Sequence, residues 1–230
     1  MSRSRNLARI TVRSAERLGG ALRRNGVGGT ARLAGGRTRR AVYLQETHIW
    51  YALEIGTELP RELPPGYELV SDPSGEAAAG PLDGPRPETE SRLSAGAERW
   101  LVLDGGETAF RCWIFPTRVP MIAAAGGWLA LPPGIVCLED SATAPNHRGR
   151  GIAPAAWSAI AGRLATRPQV RAMITKVEEE NVASRKAVEK SGFREVAVMK
   201  LTRAGLWTRV RVAAFPGEPV AAALAERLER

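Results

Sequence analysis

The stretch Asn146-His-Arg-Gly-Arg-Gly-Ile-Ala153 decides the fold, because it joins two segments with different hydrophobic periodicities. Before it, Gly134–Asp140 (GIVCLED) is a short apolar run containing the β-branched residues of a buried strand. After it, Trp157, Ile160 and Leu164 recur at helical spacing. The sequence therefore predicts a strand, a glycine-containing turn and a helix in direct succession.

The two glycines and two arginines of this turn are typical of a phosphate site. A helix start presents free backbone N–H groups and the positive end of the helix dipole. Gly149 and Gly151 allow the backbone to approach an anion closely, and Arg148 and Arg150 add charge that can meet two phosphates. The turn lacks the lysine of a P-loop and the third glycine of a dinucleotide fingerprint, and a solvated basic turn is the simpler alternative.

A second block of residues lies about thirty positions further on. Asn181-Val-Ala-Ser184 begins a predicted helix, and Glu189-Lys-Ser-Gly-Phe193 ends it with Gly192 as the residue after the last turn. With Arg148–Ala153, these blocks resemble the Q/R-x-x-G-x-G/A loop and the N-x-x-S helix of the GNAT acyltransferase superfamily. The clear match covers about residues 134–200, and the predicted strands from about residue 48 onward fit the rest of that fold.

The resemblance implies both a fold and a reaction. The fold is α/β, with a mixed, mostly antiparallel central sheet, flanking helices and a parallel strand pair that splays at the cofactor cleft. The reaction transfers the acetyl group of acetyl-CoA to a primary amine without a metal. Asn181 and Ser184 would contact the CoA arm or shape its exit, and a helix cap with a first-turn serine is the alternative for them. The implied cofactor-binding residues are Ala142, Thr143, Arg148, Gly149, Arg150, Gly151, Ile152, Ala153, Asn181 and Ser184.

The chemistry of such a transfer directs attention to two carboxylates. An amine attacks a thioester only when neutral, so a proton acceptor is needed, and a fixed N–H can stabilise the oxyanion that forms. Strand alternation places Cys137, Glu139 and Ser141 on one face and Leu138 and Asp140 on the other. We predict Glu139 as the base, with Asp140 as the alternative because a bulge would swap the faces. For either, a structural acid paired with an arginine is an open alternative.

One position departs from the family pattern. A tyrosine seven residues after the asparagine often supplies a proton to the departing CoA thiolate, and here that position is Val188. Because a thiol has a pKa of about 8.5, a thiolate can leave and take its proton from solvent. A catalytically silent CoA-binding or interaction module is therefore the alternative to an enzyme.

The charge of the chain is concentrated at its start. Residues 1–40 hold eleven arginines and one acid, Glu16, whereas the other 190 residues hold 22 basic and 23 acidic residues. A nearly neutral body argues against nucleic-acid binding by the folded part. Residues 7–22 can form a basic amphipathic helix, and the arm can contact an anionic membrane surface or RNA; a solvated arm or a transit peptide are alternatives.

The rest of the chain is organised as one domain. We predict an arginine-rich arm at 1–40, an acyltransferase domain at 41–215 and a short helix or tail at 216–230. Val119–Leu138 is 20 residues long and carries no charge, but Gly126-Gly127 and Pro132-Pro133-Gly134 would break a helix twice, so strands joined by a turn are expected. Predicted strands cover 48–55, 67–70, 99–103, 108–115, 134–140, 170–177, 193–201 and 207–212, and predicted helices cover 88–97, 152 onward and 181–191.

The remaining signals concern compartment and acceptor. Cys112 and Cys137 lie in apolar runs and read as reduced buried thiols, and His48 and His147 are too far apart in sequence to suggest a metal site. These features predict a cytoplasmic protein, peripheral to a membrane if the arm binds one. The acceptor is expected to be a small molecule or an envelope amino sugar, with protein N-acetylation as the rival.

Overall fold

The computed structural model describes residues 43–56, 62–72, 82, 86–121, 123–204 and 207–228. The basic arm predicted at 1–40 lies outside these residues. Within them no helix is long and apolar enough to cross a membrane.

Ten strands and four helices are formed by the described residues. The strands are β1 (Tyr43–Glu54), β2 (Tyr67–Asp72), β3 (Glu98–Asp104), β4 (Glu107–Phe115), β5 (Arg118–Pro120), β6 (Trp128–Ala130), β7 (Ile135–Thr143), β8 (Ala172–Glu178), β9 (Arg194–Ala204) and β10 (Trp207–Ala214). The helices are α1 (Arg86–Ser94), α2 (Ile152–Leu164), α3 (Val182–Lys190) and α4 (Pro219–Leu228).

The main sheet has eight strands in the order β10-β9-β1-β8-β7-β4-β3-β2. Strands β1 and β8, β2 and β3, β3 and β4, and β4 and β7 pair antiparallel, whereas β7 and β8 run parallel. The predicted mixed, mostly antiparallel sheet with flanking helices is therefore confirmed.

The parallel pair is joined over only a short length. Ile135, Val136 and Cys137 oppose Ala172, Met173 and Ile174, although β7 continues to Thr143 and β8 to Glu178. Beyond these three pairs the strands separate, so the β7 edge that faces β8 has no strand of the described part of the chain beside it. This is the predicted splay, and it opens a passage through the sheet.

A β-bulge distorts β7 where the splay begins. Arg111 of β4 opposes Ala142 and Trp113 opposes Glu139, so β7 has one residue more than β4 between these pairs. Asp140 takes up the extra length with a φ of 51°, a left-handed conformation that is unusual for a residue with a side chain.

The bulge corrects the predicted orientation of the side chains. Cys137 Sγ lies 3.8 Å from Glu139 Oε1, so these two side chains share a face as predicted. Ser141 instead accepts a hydrogen bond from Trp157 of α2 at 3.1 Å, on the opposite face. Asp140 contacts Arg92, whose guanidinium lies over the Trp113 ring. Placing Ser141 with Cys137, and Asp140 opposite Glu139, was therefore wrong, because the extra residue reverses the alternation, as the bulge alternative foresaw.

Each face of the sheet carries its own core layer. The α2 layer contains Tyr51, Leu138, Trp157 and Ile160, and the α4 layer contains Trp50, Trp113, Phe115, Cys137, Ile174 and Leu224. Alternate residues of one strand supply the two layers, as period-two geometry requires. The aromatic residues Trp100 of β3 and Trp113 and Phe115 of β4 are buried in these layers.

The uncharged stretch Val119–Leu138 folds as short strands. Val119 lies in β5, which pairs antiparallel with β6, and Ile135 begins β7. Gly126 and Gly127 form the turn between β5 and β6, both with positive φ. The glycines interrupt the apolar run as predicted.

Residue contacts divide the chain into two compact units. Of the described residues, one unit comprises 43–45, 202–204 and 207–209, and in it the Tyr43 hydroxyl donates to Gln45 Oε1 at 3.0 Å. The other comprises Glu46–Leu201 and Val210–Arg230 and contains every residue of the site described below.

Candidate active site

The loop between β7 and α2 has the backbone that its glycines predict. A short 3₁₀ turn, Pro145–His147, leads into Gly149 and Gly151, which have φ values of 76° and 74°. Only glycine adopts this left-handed conformation without strain, because it has no Cβ. A Cβ at Gly149 would meet no heavy atom within 4 Å, so this side of the loop faces open space.

The amides of this loop are available to a ligand. Among the hydrogen bonds of the described residues, none is donated by the N–H groups of residues 149–153. Gly151 is the N-cap of α2, so these amides lie at the positive end of a 13-residue helix. The loop therefore offers a set of donors and a partial positive charge that suit a phosphate.

A cleft of about 780 Å³ opens beside these amides. Among the described residues, its charged lining side chains are Arg148 from the loop and Lys186 and Lys190 from α3, and none of these described lining residues is a carboxylate. The potential of such a cleft is positive, as binding of a diphosphate requires. Of the predicted cofactor residues, Ala142, Thr143, Arg148, Gly149, Gly151, Ala153 and Ser184 line it.

The two arginines of the loop take different positions. Arg148 lines the cleft, where its Nε donates to the Thr143 carbonyl at 3.3 Å. Arg150 instead donates to the Tyr67 hydroxyl at 3.1 Å, and that hydroxyl is 3.0 Å from Nδ1 of buried His147. The structure thus brings the guanidinium of Arg148 to the cleft and holds that of Arg150 against β2, so the expected pair of phosphate-facing guanidiniums is reduced to one.

A second, smaller cavity of about 340 Å³ adjoins the first. Both are lined by Ser141, Trp157 and Ser184, so the cleft continues through the splay between β7 and β8. The smaller cavity is mostly polar, and its lining includes His48, Glu139, Asp140, Lys176, Glu178 and Asn181.

Glu139 is held by a lysine across the splay. Lys176 Nζ lies 2.5 Å from Glu139 Oε1, two residues beyond the last paired positions of β7 and β8. Burial acts to lower the pKa of Lys176, but the surrounding acidic groups, of which the Glu139 carboxylate has the largest effect, together outweigh it and raise that pKa. Lys176 is therefore charged at neutral pH, and Glu139 is the carboxylate that balances it.

Asp140 is paired with arginines, the alternative left open for it. Its carboxylate contacts Arg92 and lies 2.9 Å from Arg111 Nη1. Burial acts to raise the pKa of Asp140, yet the hydrogen bonds and charges of Arg111 and Arg92 outweigh it and lower the pKa. A carboxylate with a lowered pKa is a weaker proton acceptor.

Comparisons with known proteins give the family. The acetyltransferase (GNAT) domain model matches residues 60–194, more than half of the chain. The chain belongs to the GNAT acetyltransferase family. No curated relative matches the sequence.

Solved GNAT structures resemble this chain at low sequence identity. A GNAT-family protein from Novosphingobium aromaticivorans is 17% identical over 69% of this chain and 64% of its own, with a TM-score of 0.45. A GCN5-related N-acetyltransferase from Sphaerobacter thermophilus is 16% identical over 77% of this chain and 56% of its own, with a TM-score of 0.46. The chain thus spans less than two thirds of the length of these proteins.

The N-x-x-S block of this GNAT domain has a structural role as well as a place at the cleft. The Asn181 side chain caps α3 by accepting the Ser184 amide at 3.1 Å, and Gly192 follows the helix with a φ of 89°. Ser184 lines both cavities and Asn181 the smaller one. Val188 is buried, with 2% exposure, and contributes an apolar wall where GNAT proteins often have a tyrosine.

His48, Lys176 and Glu178 line the smaller cavity and were not among the site residues predicted from sequence, where His48 was considered only as a metal ligand. His48 lies on β1 opposite Glu178 of β8, is 9% exposed and lines the smaller cavity. Its Nδ1 is buried without a hydrogen-bond partner among the described residues, and its Nε2 is 3.9 Å from Glu46. Its surroundings come from a strand about 130 residues away, so no local motif could have indicated it. No group of three or more potential metal ligands is formed by the described residues.

Proposed function

We propose that the protein transfers an acetyl group from acetyl-CoA to the primary amine of a small molecule. One observation carries the proposal: a positively charged cleft at a glycine loop continues through a splayed sheet into a small polar cavity. This arrangement suits a long anionic cofactor whose reactive end must meet a second substrate.

The cleft offers a place for each part of acetyl-CoA. The amides of residues 149–153 and the Arg148 guanidinium would hold the diphosphate. The β7 edge at Ala142 and Thr143 would donate to and accept from the pantetheine arm, because β8 has diverged there. Ser184 and the cap residue Asn181 would border the arm at the start of α3.

The chemistry then requires little more than positioning and proton transfer. Acetyl-CoA supplies an activated acyl group, and a neutral amine supplies the lone pair that attacks it. A fixed amide of the bulged β7 strand would stabilise the oxyanion. With Val188 where an acid is common in the family, the departing thiolate takes its proton from solvent.

The smaller cavity favours a compact cationic acceptor. Its carboxylates include Glu178, which forms no ion pair with another described residue, in addition to the paired Glu139 and Asp140. An amine that arrives as a cation would be concentrated by such a site. A small metabolite or an envelope amino sugar fits these dimensions, whereas a protein terminus is the rival acceptor. The buried free thiols of Cys112 and Cys137 are in keeping with a cytoplasmic enzyme.

A panel of amines tests the proposal. We expect the protein to release CoA thiol from acetyl-CoA in the presence of at least one small primary amine drawn from polyamines, amino sugars, aminoglycosides and amino acid amides. Thiol release and the mass of the acetylated product are measured together, so that hydrolysis is distinguished from transfer. Acetylation of peptide N-termini alone would replace the small-molecule acceptor with a protein.

A silent CoA-binding module is the second candidate. Two observations favour it: Val188 offers no proton, and the Glu139–Lys176 ion pair spans the splay where a thioester would lie. Tight binding of acetyl-CoA by calorimetry, without thiol release by any amine, would establish this candidate and end the enzyme proposal.

We also propose that residues 1–40 attach the protein to an anionic surface. Eleven arginines against one acid give an arm that binds phosphates by releasing counterions, so its affinity falls with salt.

We expect deletion of residues 1–40 to abolish sedimentation with phosphatidylserine vesicles and retardation of ribosomal RNA at low salt. Thiol release should stay unchanged, because every site residue lies beyond the arm. Phosphatidylcholine vesicles serve as the control. Equal association of the full chain and the truncated chain would contradict the attachment.

A further inference from the structure

We propose that His48 is the proton acceptor for the attacking amine, an inference that rests on the function proposed above. Glu139 and Asp140 were the candidates from sequence, and each is engaged by cations. The imidazole lines the same cavity; its Nδ1 is buried without a hydrogen-bond partner among the described residues, and its Nε2 lies 3.9 Å from Glu46, beyond hydrogen-bonding distance.

The position of His48 suits an acceptor that approaches from the α4 layer. On β1, the His48 side chain is on the same side of the sheet as those of Trp50 and Ala52, which belong to that layer, because alternate residues of a strand share a face. On β8, the Lys176 side chain is on the same side of the sheet as that of Ile174, which also belongs to that layer. Because Trp50 is directly opposite Lys176, His48 is the diagonal cross-strand neighbour of Lys176. The phosphate loop leads into α2 on the opposite face. Cofactor and amine would therefore meet within the splay from opposite sides of the sheet.

The surroundings of His48 keep its imidazole neutral. Burial is the largest cause that lowers its pKa below 6.5, and the Lys176 ammonium adds to it. The carboxylates of Glu46, Glu178 and Glu139 act in the opposite direction without cancelling these effects. A neutral imidazole has a lone pair ready at physiological pH, as general-base catalysis requires.

The two carboxylates of β7 are less suited to the task. Glu139 already balances a lysine at 2.5 Å, so protonating it would leave a partly buried ammonium uncompensated. Asp140 lies against Arg111 and Arg92, which hold its pKa low. Of the three side chains, only His48 can accept a proton without breaking an ion pair.

An amine that enters as a cation first loses one proton to solvent. The lone pair of the neutral amine then forms the C–N bond to the acetyl carbonyl carbon, and the carbonyl π electrons move to oxygen. The nitrogen, now positively charged, gives one proton to the His48 imidazole. The oxyanion re-forms the carbonyl, the C–S bond breaks, and the thiolate takes a proton from solvent. The imidazolium returns its proton to the water of the open cavity.

His48→Gln tests the proposal with the amine that the wild-type protein acetylates fastest in the panel above. We expect kcat/KM to fall about 100-fold or more, as for loss of a general base, with the acetyl-CoA Kd changed less than about twofold. In the wild type, kcat/KM calculated from the concentration of neutral amine, which removes the effect of protonating the amine itself, should decline as the pH falls through a midpoint below 6.5, because imidazolium cannot accept a proton. That decline should vanish in His48→Gln. Partial rescue of His48→Ala by added imidazole would exclude a purely structural effect.

Lys176→Met separates His48 from Glu139. Removing the ammonium should raise the pKa of His48, so the acid-side decline of kcat/KM moves to higher pH. The double variant His48→Gln/Lys176→Met should show no such decline. A decline that persists in the double variant would assign the proton to Glu139 and overturn the proposal.

The outcomes distinguish this inference from the proposed function. If the wild type acetylates an amine and His48→Gln keeps kcat/KM within about threefold with an unchanged pH profile, the function stands and the role of His48 is refuted. If the wild type binds acetyl-CoA but acetylates no amine, the proposed function and the role of His48 are both refuted, and the wild-type protein alone gives this result.

Discussion

Replacing Arg148 by glutamate is expected to raise the Kd for acetyl-CoA about 100-fold or more. Arg148 is the guanidinium that lines the phosphate cleft, and the substitution replaces a charge-assisted contact with a repulsion. A loss of about 3 kcal/mol corresponds to that factor. Arg148 is exposed, so the Tm of the ligand-free protein should change by no more than about 2 °C. Isothermal calorimetry and thermal unfolding measure the two effects.

Arg150 supplies the matched control for this variant. It is two residues away and equally basic, but its guanidinium donates to Tyr67. We expect Arg148→Gln to weaken acetyl-CoA binding about tenfold and Arg150→Gln to weaken it less than about threefold. Equal losses in the two glutamine variants would mean that the diphosphate is held elsewhere or by both side chains.

Replacing Asp72 by alanine is expected to lower the free energy of unfolding by about 3–5 kcal/mol. Asp72 of β2 and Arg99 of β3 are opposite each other, and Arg99 donates to the Asp72 carboxylate from Nε at 3.0 Å and Nη2 at 2.5 Å. The Arg99 side chain is 2% exposed, so it loses this carboxylate where water cannot replace it. Urea denaturation measures the change.

Two further variants interpret that loss. Glu54→Ala removes a carboxylate from Arg194 at a surface where both side chains are about half exposed, and should cost no more than about 1 kcal/mol. The double variant Asp72→Leu/Arg99→Met removes both buried charges and should recover most of the stability lost by Asp72→Ala. No recovery would mean that the cost arises from packing rather than from the unbalanced charge.

Local pattern was sufficient for most elements of the fold. The apolar runs predicted at 134–140 and 170–177 are β7 and β8, and the helix predicted from residue 152 is α2. Their periodicities are set by neighbours along the chain, which is why sequence alone could find them. The glycine turn was predictable for the same reason, since Gly149 and Gly151 both have positive φ.

The site was less predictable, because non-local pairing determines it. The bulge at Asp140 results from the count of residues between two pairings with β4, which no window of the β7 sequence contains. The partners of Glu139 and Asp140 come from β8, β4 and α1. His48 became a candidate only because Lys176 and Glu178 of a distant strand lie beside it. The sequence alone therefore identified the phosphate loop but not the side chains that are candidates for proton transfer.

The short junction between β7 and β8 links ligand occupancy to the cohesion of the sheet. The register of β7 and β8 covers three residue pairs, and the Glu139–Lys176 ion pair lies beyond them. An extended molecule bound between the diverging strands would take the place of a strand and connect the two parts of the sheet. The ligand-free protein should therefore fluctuate most where β7 and β8 diverge. Binding of an extended molecule there would restrict this motion as well as bring a reactant to the site.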